Sequence, residues 1–89
     1  MLTKSITIVN KLGLHARAAA KLAALASEFS SEILITRKQR QVNAKSIMGV
    51  MMLAAARGME IEISVSGDDE QAAMDALETL INNRFDEPS

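Results

Sequence analysis

Apolar and polar positions alternate in several stretches of this chain, with stretches of helical spacing between them. Ile6 and Ile8 alternate with Ser5 and Thr7, which predicts a half-buried strand ending near Asn10. Ile33 and Ile35 alternate with Glu32, Leu34 and Thr36 in a second strand. Met59 to Ser66 alternates without a fault and is the clearest strand signal in the sequence. The polar run Arg37-Lys38-Gln39-Arg40 reads as a hairpin connection to a short strand around Gln41 to Ala44, although it lacks an Asn-Gly type of turn.

Three helices fill the gaps. From Ala16 to Phe29 alanine dominates, with Leu22, Leu25 and Phe29 on one face, and Ser30-Ser31 stops the run. Ser46 opens a short helix through Ile47, Met48, Val50, Met51 and Leu53, with Gly58 read as the residue that closes it. Asp68 and Gln71 have capping-box spacing ahead of a last helix that turns Ala73, Leu77, Leu80 and Ile81 inward. That helix is predicted to fray near Arg84 to Ser89, a tail holding the only proline, Pro88. The order is βαββαβα. Strands with one polar face need one apolar cover, so the expected fold class is α+β: an open-faced two-layer sandwich, with a four-stranded antiparallel sheet under three helices.

Composition then removes whole classes of function. The 89 residues are 48% hydrophobic, enough for one domain over residues 1–89 without metal or disulfide. Cysteine is absent and there is one histidine, which argues against zinc or iron sites and suits a reducing cytoplasm. A net charge of −1 and only two aromatics, Phe29 and Phe85, argue against nucleic acid as a partner. No apolar run reaches membrane-spanning length, and Met1 to Val9 lacks the core of a signal peptide. A cytoplasmic protein is expected. There is no glycine-rich nucleotide loop and no Ser-His-Asp set, so self-contained nucleotide chemistry is excluded.

The lone histidine carries the chemistry. Gly13-Leu14-His15-Ala16-Arg17 leads from a strand into the alanine-rich helix, placing an imidazole where free amides and the positive end of the helix dipole lie. A neutral imidazole attacks phosphorus, and phosphoryl transfer asks mainly for positioning and charge neutralisation. Amides of Ala16 and Arg17, with the guanidinium of Arg17, could supply both. Such positive surroundings would keep the ring unprotonated. The plainer reading makes His15 a helix cap or a loop filler.

Two stretches carry a family resemblance across the whole chain. Gly13 to Arg17 with its following alanines is similar to the phosphorylation site of HPr, the histidine phosphocarrier of the bacterial phosphotransferase system. Asn43-Ala44-Lys45-Ser46-Ile47-Met48-Gly49-Val50 resembles the family's second signature, around a regulatory serine. The flanks Asn10-Lys11-Leu12 and Ile81 to Glu87 look more like the nitrogen-related branch, NPr. The resemblance implies an HPr-like fold in which His15 takes a phosphoryl group on Nδ1 from enzyme I and gives it to an EIIA-type protein. It also implies that Arg17 faces the phosphate and that no cofactor is needed. The chain departs from many HPr proteins in having Ala18 where proline often follows the arginine, which restores one backbone donor.

The same resemblance makes Ser46 a candidate for phosphorylation by HPr kinase/phosphorylase, beside its plain role as helix cap. Ile47, Met48, Met51 and Met52 are too many for one buried face of a short helix, and flexible thioethers suit docking of several partners. Asp68, Asp69 and Glu70 read as helix N-terminal acids, and Arg37, Lys38 and Arg40 as a solvated turn. A monomer is expected of a carrier that docks partners by turns. Two other classes remain open from the residues: a regulatory binding module that is never phosphorylated, and a small acylphosphatase-like hydrolase, which would lack a side chain to position water.

Overall fold

The computed structural model describes residues 1–87. Its elements are β1 (Leu2–Thr7), α1 (Ala16–Ala26), β2 (Glu32–Arg37), β3 (Arg40–Asn43), α2 (Ile47–Met52), β4 (Glu60–Ser66) and α3 (Glu70–Asn82), followed by a short turn over Arg84–Asp86. The strands form one antiparallel sheet in the order β1-β4-β2-β3. The best-patterned strand, β4, therefore lies inside the sheet, paired on both edges. The α+β open sandwich read from periodicity is the observed fold.

Alternation decides the faces. Ile6 stands opposite Ile61, Ile35 opposite Ile63, and Ile33 opposite Val65, all buried, while Ser5, Thr36, Glu60, Glu62 and Ser64 take the other side. Onto the apolar face pack Ala18, Ala19 and Leu22 of α1, Val50 of α2, and Ala73, Met74, Leu77 and Ile81 of α3. Each fully buried large aliphatic contributes about 1.5–3 kcal/mol. The β2–β3 hairpin forms through Lys38 and Gln39, with Lys38 in the left-handed region at φ 57°. Among the described residues no helix is long and apolar enough to cross a membrane.

Several local expectations need correcting. The first helix stops at Ala26, three residues before Phe29, because the Ser27 hydroxyl donates to the Ala23 carbonyl and Phe29 turns off the helix to lie half-buried against the core. Leu25 and Leu80 are likewise only partly buried. Gly58 does not close the second helix. Ala54 takes the left-handed position after α2 at φ 50°, and Gly58, at φ 88°, serves the turn into β4, where its N–H donates to the Ile8 carbonyl. The Asp68–Gln71 capping box is not made. Instead Glu70 accepts from the Gly67 N–H at 3.2 Å, and the Asp69 carboxylate reaches across to the N–H and hydroxyl groups of Ser30 and Ser31.

The tail does not fray at Arg84. Arg84, Phe85 and Asp86 all adopt left-handed backbone, at φ 57°, 54° and 62°. Left-handed backbone costs a non-glycine residue about 1–2 kcal/mol. Full burial of Phe85 offsets that cost, and the Lys21 ammonium ties the turn down by donating to the Phe85 carbonyl at 2.8 Å. Pro88 and Ser89, the last part of the predicted frayed tail, lie outside the described residues.

Candidate functional site

The site begins where β1 ends. After Thr7 the chain stays hydrogen-bonded to the turn before β4, with the Ile8 N–H donating to the Met59 carbonyl at 2.9 Å. It then turns through Asn10 to Gly13. Gly13 has φ 65°, and any side chain there would run into the backbone of Ala55 and Ala56. The next N–H, that of the buried Leu14, donates to the Ala55 carbonyl at 2.9 Å. Only glycine lets the loop press this closely onto the segment following α2. The result is a fixed launch point for α1.

His15 takes the N-cap position of α1, extended at φ −73° and ψ 178°, and its carbonyl accepts the first helical hydrogen bond, from Ala19, at 2.8 Å. Its side chain makes no capping bond, and the first turn holds no acid. The plain reading of His15 as a side-chain cap therefore does not apply. The amides of Ala16 and Arg17 have no acceptor inside the helix, and both residues are exposed. Ala18, by contrast, is fully buried, so the methyl at this position seats the helix start on the core. Arg17 makes no ion pair or side-chain hydrogen bond among the described residues, which leaves its guanidinium available to an incoming anion.

The ring itself is braced from a direction the sequence did not suggest. The His15 side chain is 27% exposed, and its Nε2 lies 2.5 Å from Oε2 of Glu87. The second oxygen of Glu87 accepts from Nδ2 of Asn10 at 3.2 Å. Asn10 is fully buried, and the same Nδ2 donates to the Gly13 carbonyl at 2.8 Å. Burial pushes the Glu87 carboxyl up, but hydrogen bonds from His15 and Asn10, with the charges of His15 and Lys21, outweigh it and hold the group below the usual carboxylate range. The surroundings of the ring are thus not uniformly positive, as expected from sequence. One nitrogen faces an anion.

That contact fixes roles. A carboxylate only accepts, so the hydrogen sits on Nε2, and in the neutral ring the lone pair belongs to Nδ1. Nδ1 has no partner among the described residues. Sequence reasoning left the two nitrogens equal and missed Glu87 altogether. The partners stand 72 residues apart, and only the left-handed turn at Arg84–Asp86 brings them together.

The second signature resolves differently. Ser46 is the N-cap of α2, its Oγ accepting from the Gly49 N–H at 3.0 Å. In α2 only Val50 is buried, while Ile47, Met48, Met51 and Met52 are exposed by 46%, 69%, 38% and 55%. Leu12, in the loop before His15, is exposed by 66%. The methionines thus face solvent. A groove of about 640 Å³ lies between the β2–β3 hairpin and the end of α2, lined by residues such as Arg37, Arg40 and Leu53. The part-exposed imidazole lies outside that groove, at the start of α1.

The chain is similar to known proteins in sequence and in fold. Residues 2–83 match the family model described as the PTS HPr component phosphorylation site. The chain is 60% identical over 87 residues to phosphocarrier protein HPr of Cupriavidus necator, covering 98% of each. It is 48% identical over 88 residues to phosphocarrier protein NPr of Shewanella violacea, covering 99% of this chain and 97% of that one. The crystal structure of HPr-C-His from Thermoanaerobacter tengcongensis superposes with a TM-score of 0.96 at 46% identity, over the full length of both chains.

Proposed function

This chain belongs to the PTS HPr family and is a phosphocarrier, not a catalyst; from that premise we propose that His15 is the group that carries the phosphoryl. The lone pair of Nδ1 attacks phosphorus on a phosphohistidine of enzyme I. The amides of Ala16 and Arg17 hold the equatorial oxygens, and the Arg17 guanidinium neutralises their charge. The same steps in reverse hand the group to a histidine of an EIIA-type protein. The observation that supports this most is the part-exposed ring at a helix start whose amides are left uncapped.

The rest of residues 1–89 acts as one carrier domain around that ring. Ile47, Met48, Met51 and Met52 form an apolar docking patch for successive partners, and adaptable side chains let one patch serve more than one of them. Ser46 is the regulatory position, a substrate for an HPr kinase/phosphorylase. A phosphate there would meet the α2 amides favourably and place negative charge beside the patch. The carrier works in the cytoplasm as a monomer. A nitrogen-related branch is favoured by the flanks and by the NPr relative, while the 60% identity to an HPr favours the sugar-transport branch, so the rate with each kind of enzyme I decides.

One assay tests the central claim. The chain is mixed with phosphoenolpyruvate and enzyme I and weighed intact. An acid-labile gain of one phosphoryl, absent in His15→Ala, is expected. No gain with either kind of enzyme I would select the regulatory binding module instead.

A further inference from the structure

We propose that α2 is a modification site: peroxides oxidise Met48, Met51 and Met52 to sulfoxides, and the resulting polarity weakens docking and slows the carrier. The proposal rests on the reading of this helix as the docking patch. Leucine or isoleucine would supply the same apolar contact. A thioether adds a reactive lone pair.

The chain gathers its oxidisable sulfur in one place. It has no cysteine, so no thiol competes for the oxidant, and Met48, Met51 and Met52 are half of its 6 methionines. Spacings of three and four residues set them on one face of α2, and in this helix only Val50 is buried. All three are exposed, whereas Met74 of α3 keeps 2% exposure and is shielded from a dissolved oxidant. Met1 and Met59 are also open to solvent, but they lie at the chain start and in the turn before β4. The Met59 sulfur is further engaged, accepting from the Ala56 N–H at 3.3 Å. On α2 an added oxygen displaces water and not core atoms.

The step balances with one oxidant, hydrogen peroxide. A sulfur lone pair attacks one peroxide oxygen, the S–O bond forms and the O–O bond breaks. The departing oxygen takes the proton of the transferred one and leaves as water. Sulfur is oxidised by two electrons and the peroxide is reduced. The product is a polar, chiral side chain that dedicated reductases return to the thioether, which makes the change reversible. Against an apolar partner the sulfoxide oxygen is stripped of water and finds no donor, so burial that favoured docking now opposes it. His15 and Arg17 stand at the start of α1, away from the modified helix, and keep their chemistry.

The full chain tests this. It is treated with hydrogen peroxide beside a metal chelator, the peroxide is removed with catalase, and phosphoryl acceptance from enzyme I is timed by intact mass. Peptide mapping should place oxygens on Met48, Met51 and Met52 and spare Met74. The chain concentration giving half the limiting rate should rise roughly tenfold, with the limiting rate within about twofold of the untreated one. Reductases for both sulfoxide epimers should reverse the rise. Each variant is judged against its own untreated rate: the triple variant Met48→Leu, Met51→Leu, Met52→Leu should show no rise, and Met59→Leu the full one. Equal rises in the triple variant and the unaltered chain overturn the proposal. So does a rise that the reductases do not reverse, an unchanged half-rate concentration in chains bearing the three sulfoxides, or sparing of α2 by the oxidant. Failure of the untreated chain to accept phosphoryl overturns the carrier reading, and this proposal with it.

Discussion

Two kinds of helix start occur in this molecule. The starts of α2 and α3 are dressed by their own side chains: Ser46 Oγ accepts from Gly49, and Glu70 places its carboxylate against the Gly67 N–H and 3.3 Å from the N-terminal ammonium. The start of α1 has neither a side-chain cap nor an acid in its first turn. Capping an isolated helix end stabilises it by about 1 kcal/mol, and α1 forgoes that contribution. What it keeps is a set of donors not already committed to an internal acceptor. Next to a nucleophile, unspent amides are worth more to function than to stability.

Dressing the bare start should have the largest effect. Ala16→Glu puts a carboxylate where the phosphoryl oxygens are held. Like-charge repulsion, about 4 kcal/mol for two unit charges 4 Å apart at surface-like dielectric and less after screening, is expected to slow phosphoryl acceptance at least tenfold. Stability should hold or rise by about 0.3–1 kcal/mol, since acids suit a first turn. Equal rates by intact-mass time course would show that the amides of α1 play no part.

Asp69 sharpens the contrast from the other side. It stands at the N-cap of α3 but spends its carboxylate on Ser30 and Ser31. The Ser31 hydroxyl first, with the N–H groups and hydroxyl of this pair, lowers its pKa from 3.8 to about 2. Because the folded value is the lower one, this contribution to stability is complete above about pH 4 and is lost as pH falls through about 2. Asp69→Ala should therefore lower the melting temperature at neutral pH, and the gap from the unaltered chain should close across that window. A gap independent of pH would assign the loss to packing. The smallest effect is expected of Ser46→Ala, which undresses α2: about 1 kcal/mol in denaturant unfolding, with phosphoryl acceptance unchanged. A slowed acceptance would mean that α2's start is coupled to the ring.

What sequence could and could not reveal follows from the range of the forces involved. The faces of β4 and the seat of α1 were legible because period and composition are local, and so was the placement of His15 and Arg17 at the start of α1, which one short motif sets. The role of Gly58 and the partner of Asp69 were not, because each was settled by a neighbour distant in the chain. Glu87 is the extreme case. Its approach to His15 depends on Arg84, Phe85 and Asp86 adopting left-handed backbone, held by burial of the Phe85 ring and by the Lys21 ammonium.

The uncovered side of the sheet offers a practical opening. Thr3, Ser5, Glu60, Glu62 and Ser64 lie exposed or half-exposed on strands whose opposite side chains make the core. A fluorophore grafted at Glu62 would ride on a strand paired along both edges, on the side of the sheet turned away from the helices. Such a conjugate could report encounters with successive partners in real time without competing for the ground on which they land.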